Sequence, residues 1–136
     1  MSATISEVKT ALATKLGTIT GLRAYAYQPD SPAFPCAIPT LNEIQYHGAM
    51  GAGLVTYTFT VSIIVGRVSE RSSESKLNDY ASYSGASSVR QVLELDGSLG
   101  GVVADTLVNN ATNITSISLN DADYLVIDFS VTVYDS

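Results

Sequence analysis

His47 is the single histidine of the chain and Cys36 its single cysteine, so a histidine-based triad or a thiol nucleophile could be built only on one of these two side chains. Serine and aspartate are plentiful, and a Ser-His-Asp arrangement has candidates for its other members. A catalytic histidine needs rigid support, however. His47 opens the stretch His47-Gly48-Ala49-Met50-Gly51-Ala52-Gly53, which has few anchoring side chains. Cys36 lies between Pro35 and Ala37 in an apolar segment, where a small buried thiol is the expectation rather than a nucleophile. The sequence therefore points to no catalytic residue and to no enzyme.

Two other stretches invite a ligand. The glycine-rich run resembles a phosphate loop in composition, but such loops lead into a helix whose N-terminus receives the anion. Here the following residues alternate as a strand, and no Gly-Lys-Ser/Thr is present. The run is expected to be a mobile connection, with His47, Gly48, Gly51 and Gly53 as its tentative markers, ordered against a neighbouring molecule. Asn120, Asp121 and Asp123 could offer calcium oxygen ligands at alternate positions. The spacing lacks the later Glu and the central Gly of a calcium loop, and a solvated turn is expected. With one Cys and one His, no other metal-ligand spacing exists, and neither cofactor nor metal is expected.

The elements that would position such residues read as follows. Thr4-Ile5-Ser6-Glu7 has the form of a capping box, and Ile5, Val8, Leu12 and Leu16 make an apolar stripe up to a stop at Gly17. Residues 22–27 alternate as a first strand. Pro29, Pro32 and Pro35 then punctuate the chain. Residues 36–42 are predicted as a short strand, with Pro39 marking an edge or a bulge. Val55, Tyr57, Phe59, Val61, Ile63 and Val65 alternate with Thr56, Thr58, Thr60 and Ser62, the strongest strand signal present, with one buried and one hydroxyl-lined face. The hydroxyl row is a candidate subunit interface.

Residues 66–100 read as helical, with a cap at Ser69 or Ser72, an inner stripe at Leu77 and Tyr80, a break at Gly85, a restart through Val89, Val92 and Leu93, and an end at Asp96-Gly97. Two strands, 102–108 and 114–119, and a turn at 120–123 lead to a last strand. There Leu125, Ile127, Phe129, Val131 and Val133 share one face, and Tyr124, Asp128, Ser130, Thr132 and Tyr134 the other. The order predicts an α+β fold with a largely antiparallel or mixed sheet, an N-terminal helix and a central helical segment, in one domain over 1–136.

Charged residues are only 15% of the 136 and the net charge is −6, with no Lys/Arg cluster. Tight wrapping of nucleic acid needs concentrated positive charge and is not expected. The N-terminal residues show no basic n-region or apolar core of a signal peptide, and no apolar run is long enough to span a bilayer, so a cytoplasmic site of assembly is expected.

The order of short motifs resembles that of tail terminator proteins of long-tailed actinobacterial phages. The resemblance lies in Leu22-Arg23-Ala24-Tyr25 before a proline-rich bend, then in Val65-Gly66-Arg67 leading into Lys76-Leu77-Asn78-Asp79-Tyr80. It continues in Ser84-Gly85-Ala86-Ser87-Ser88-Val89-Arg90, in Leu99-Gly100-Gly101 and in Asp123-Tyr124-Leu125. It covers most of the chain after residue 22, and the order rather than any one motif carries it. The resemblance implies a virion protein: a ring, usually hexameric, at the head-proximal end of the tail tube. Such a ring ends tube polymerisation and meets the head connector while DNA passes through without specific binding. Its implied partners are further copies of itself, the tail-tube protein and the head–tail connector protein. Glu70, Glu74, Asp79, Asp121 and Asp123 are then candidate acids of the lumen. The alternatives are another head–tail joining or tail-tube subunit, or a monomeric small-molecule-binding domain that uses the hydroxyl-rich face.

Overall fold

The computed structural model describes residues 4–19, 21–26, 35–46, 55–67, 71–95, 97–103, 105–119 and 122–135. Helix α1 (Ile5–Leu16) begins where the sequence signals it. The Thr4 hydroxyl accepts from the Glu7 amide at 3.1 Å, and the Glu7 carboxylate accepts from the Thr4 amide at 2.9 Å. Val8, Leu12 and Leu16 are wholly buried along its inner side. Burying a side chain of this size contributes roughly 1.5–3 kcal/mol.

Five strands form one sheet in the order β1-β2-β3-β5-β4: β1 (Arg23–Ala24), β2 (Cys36–Gln45), β3 (Val55–Arg67), β4 (Asp105–Leu119) and β5 (Ala122–Asp135). All pairs are antiparallel except the short parallel pair β1·β2. Helices α2 (Arg71–Ala81) and α3 (Val89–Leu95) join α1 on one side of it. α1 packs on β2 and α3, α2 on β3 and β5, and α3 on β4. The alternation of β3 divides the molecule as its sequence requires. Tyr57, Phe59, Val61, Ile63 and Val65 enter a single cluster with Val8, Leu12 and Leu16 of α1, Leu77 and Tyr80 of α2, Val89 and Leu93 of α3, and Ile127, Phe129, Val131 and Val133 of β5. The fold is α+β, as the pattern of elements predicts.

Four expectations are corrected in detail. The first strand is two residues long, not the six of 22–27. It pairs with β2 only at Cys36 and Ala37, and the last bond of that ladder runs from the Tyr25 amide to the Ala37 carbonyl at 2.9 Å. Two residues on, Pro39 has no amide to donate, so the ladder cannot continue. The second strand extends to Gln45 rather than Asn42. It does so through a bulge, with Leu41 opposite Phe59 and Glu43 opposite Thr58. The segment 66–100 does not begin as helix: β3 runs on to Arg67, and the two helices that follow, α2 and α3, are separated about Gly85 as the sequence predicts. The predicted strands 102–108 and 114–119 are one strand, β4, which begins only at Asp105. Residues 97–103 are turns instead, where Leu99, Gly100 and Gly101 take φ of 52°, 77° and 93°. The Ser98 carbonyl there accepts from the amides of Gly101, Val102 and Val103. The buried Leu99 side chain holds this non-glycine residue in the left-handed region.

Candidate assembly surface

Opposite the helices, the sheet presents a face built from the other half of the strand alternation. Thr56 pairs laterally with Gln45 and Tyr134, Thr58 with Glu43 and Thr132, Thr60 with Thr40 and Ser130, and Ser62 with Ile38 and Asp128. Thr56, Thr58, Thr60 and Ser62 are all half-buried. The hydroxyl row named from sequence is thus contiguous and continues into rows on both neighbouring strands. At the far end of this face Cys36, Ile64 and Val126 stand side by side as an apolar row, with Cys36 fully buried. Loss of hydration pushes the Cys36 thiol pKa up, opposed by a backbone hydrogen bond with Ile64. A thiol held protonated in this way is a poor nucleophile.

Asparagine amides fasten this face, and the sequence reading did not single them out. Asn42 Nδ2 donates to Thr60 Oγ1, Asn109 Nδ2 donates to Thr132 Oγ1 at 2.6 Å, and Asn113 Nδ2 donates to Asp128 Oδ2 at 3.0 Å. All three sit at register breaks: Asn42 between Leu41 and Glu43, Asn109 between Val108 and Asn110, and Asn113 between Thr112 and Thr115. Asn113 has φ 53°, a conformation asparagine tolerates better than most residues. The signal was in the sequence, as asparagines interrupting otherwise alternating strands.

The described acids among these candidates do not gather in one place. Glu74 and Asp79 are exposed on α2, on the helical side of the sheet. Asp123 is exposed on the β4–β5 hairpin, where it accepts from the Ser118 hydroxyl at 2.6 Å. Glu70 and Asp121 lie outside the described residues, as do the loop markers His47, Gly48, Gly51 and Gly53. The acids of the open face are others: Glu43, Asp105 and Asp128 share its level rows with the hydroxyls.

Among the described residues, no group of three or more His, Cys, Asp or Glu side chains could hold a metal ion. No helix among the described residues is long and apolar enough to cross a membrane. A concavity of about 580 Å3 is an open groove between the outer side of α1 (Thr10, Thr14, Lys15) and the Leu99–Val102 turn. Glu7 borders it, but its carboxylate is already engaged by Thr4, and those hydrogen bonds hold it below the usual carboxylate range.

No protein-family model matches the sequence, and no curated protein matches it.

Proposed function

We propose that this chain is a structural virion subunit that assembles into a ring at the head-proximal end of a phage tail. There it ends tube growth and offers a surface to the head connector. The observation that carries the reading is the two-sided sheet. One face is filled by three helices, and the other is a broad, hydroxyl-rich surface with few charges. Such a surface loses little hydration energy when another protein covers it, because unpaired charges are the expensive groups to bury. The resemblance of the motif order to that of tail terminator proteins supports this place of assembly, and the acidic, weakly charged composition fits a wall past which DNA moves.

Electron microscopy of the purified protein, alone and mixed with tail tubes, tests this. Rings at one end of tubes, with tube lengthening arrested, are the expected result. A protein that stays monomeric and leaves tube growth unaltered would reject the reading.

A further inference from the structure

Among the described residues, both margins of the sheet are closed over part of their length and open over the rest. On the β2 side, β1 covers only Cys36 and Ala37, and Pro39 has no donor to offer. Among the described residues, 40–45 then pair with β3 alone. On the β4 side, the Val108 amide donates off the edge to Glu94 Oε2 at 2.8 Å, so α3 closes that point. Beyond it β4 pairs with β5 alone, and Ile114 there is 56% exposed.

These two windows match in four independent respects. The first is direction. Through the antiparallel ladders β2 runs with β5 and against β3 and β4, so β2 of one copy laid beside β4 of another continues the antiparallel alternation.

The second is the bulge. β2 carries its extra residue at Asn42. β4 carries one at Asn113 and Ile114, which lie between Thr112 opposite Asp128 and Thr115 opposite Val126. One register alone brings the two irregularities together, and it sets Asn42 against Asn113.

The third is hydrogen-bonding sense. On β2 the Ala37 carbonyl points off the edge, and the alternation carries this outward sense through Pro39 and Leu41 to Ile44. On β4 the Val108 amide points outward, and so, two levels on, does that of Ala111. The bulge-matched register puts Ile44 opposite Ala111 and Leu41 opposite Ile114, outward groups facing outward groups. The pairing ends at Thr115, where the neighbour's β4 must leave the β2 margin, because Ser118 and Leu119 would otherwise fall on Ala37 and Cys36, which β1 already covers.

The fourth is chemistry. Those two pairs are apolar and lie on the helical side. Thr40 with Thr115 and Glu43 with Thr112 are polar and lie on the open side. Within the two windows Glu43 is the one charged residue. Two chains of net charge −6 can therefore meet there without opposing like charges.

We propose that residues 40–45 of one copy pair antiparallel with residues 110–115 of the next, in the register that sets Glu43 against Thr112. The contact rests on the self-assembly reading above and makes it specific. It is heterologous, so it propagates from copy to copy and closes only as a ring. It is also stepped. Thr40 is level with Ser130 in its own sheet and meets a strand position level with Val126 in the next. That is a step of about four residues for every four strands carried round, the ratio of an eight-stranded, shear-eight barrel whose strands tilt by about 36°. The helices then form one wall of the ring and the hydroxyl face the other.

The test places cysteines in the full-length chain at Glu43 and Thr112, a pair outside the intermolecular hydrogen bonds, where the Cα atoms approach to roughly 4.5 Å and a disulfide fits. Mild oxidation of Glu43→Cys/Thr112→Cys should yield a ladder of covalent multimers on a denaturing gel. The offset pair Glu43→Cys/Thr115→Cys should yield at least tenfold less. Light scattering of the same samples separates the two levels of the argument. Oligomers without a ladder overturn the edge contact and leave self-assembly standing. Monomers at every concentration, with no ladder, overturn both. Dimers from Thr112→Cys alone would show β4 pairing with itself and overturn the proposal.

Discussion

The Glu94 carboxylate bridges α3 and the margin of the sheet. One oxygen accepts from the Val108 amide at 2.8 Å, and the other pairs with Arg90 at 2.8 Å. Arg90 is itself fixed, with its guanidinium over the Tyr83 ring at 3.8 Å and its Nε donating to the Tyr83 carbonyl at 2.8 Å. A side chain thus occupies a strand-edge donor that would otherwise bond to another chain. Glu94→Ala should cost about 1.5–3 kcal/mol, the worth of a hydrogen bond to a charged group, because the Val108 amide loses its acceptor. Urea unfolding measures this. The variant should also aggregate sooner in a concentration series, because the opened edge is longer than in the parent. Stability within 0.5 kcal/mol of the parent would show that the bridge adds nothing.

Helix α1 gives a pH-dependent prediction. The Thr4 backbone and side-chain hydrogen bonds hold the Glu7 carboxyl below its ordinary value in the folded protein. A carboxyl depressed on folding adds stability above its unfolded pKa of about 4.3 and loses it as pH falls through the folded value. The parent should therefore lose stability below about pH 4.3, and Glu7→Gln, which can still accept from the Thr4 amide, should show a flatter acid limb. Thr4→Ala removes the acceptor for the Glu7 amide and should destabilise by about 1 kcal/mol at neutral pH. Identical acid limbs for the parent and Glu7→Gln would remove Glu7 from the account.

How far the sequence could be read depended on whether the cause was local. The α1 cap and stripe, the faces of β3 and β5, and the α+β class rest on periodicity and on neighbours three or four residues away, and these held. The length of β1 did not, because it is set by Pro39 across the ladder from it. The joining of 102–108 and 114–119 into one shifted strand was also hidden. Asn109 and Asn113 fall in the gap between the two predicted strands, whereas in the sheet their amides fasten to Thr132 and Asp128 on β5. Of the candidate surface, the row Thr56, Thr58, Thr60 and Ser62 was legible from alternation. The edge windows were not, since which strand ends at a margin is a property of topology.

The hydroxyl face can be tested apart from the edges. Thr58 and Thr60 are half-buried with Glu43, Thr132, Thr40 and Ser130 beside them, and no helix covers that face among the described residues. Lysine at both positions can snorkel its charge into water while keeping its stem on the sheet. Thr58→Lys/Thr60→Lys should fold with a circular dichroism spectrum like that of the parent, with a stability change under about 1 kcal/mol beyond the lost Asn42–Thr60 hydrogen bond. Its binding to tail tubes should weaken at least tenfold if the face meets another subunit. Unchanged assembly by a folded double variant would free this face from any contact and leave the edges alone to carry the ring.

The charge of the assembly sets its behaviour toward DNA. Each chain carries a net −6, which the proposed ring would multiply by its number of copies. The rows of the open face hold Glu43, Asp105 and Asp128, whereas Glu74 and Asp79 belong to the helical side. Whichever wall faces inward therefore presents acids to a passing duplex. At the ~8–10 Å Debye length of moderate salt, phosphates close to that wall are repelled rather than held. Purified protein should show no measurable affinity for duplex DNA in filter binding or anisotropy at low salt, where a cationic site would bind most tightly. Raising the salt should leave the signal flat. Binding that is strong at low salt and falls steeply as salt is added would reveal a concentrated basic site, contradict an acidic lumen, and turn the function toward DNA handling.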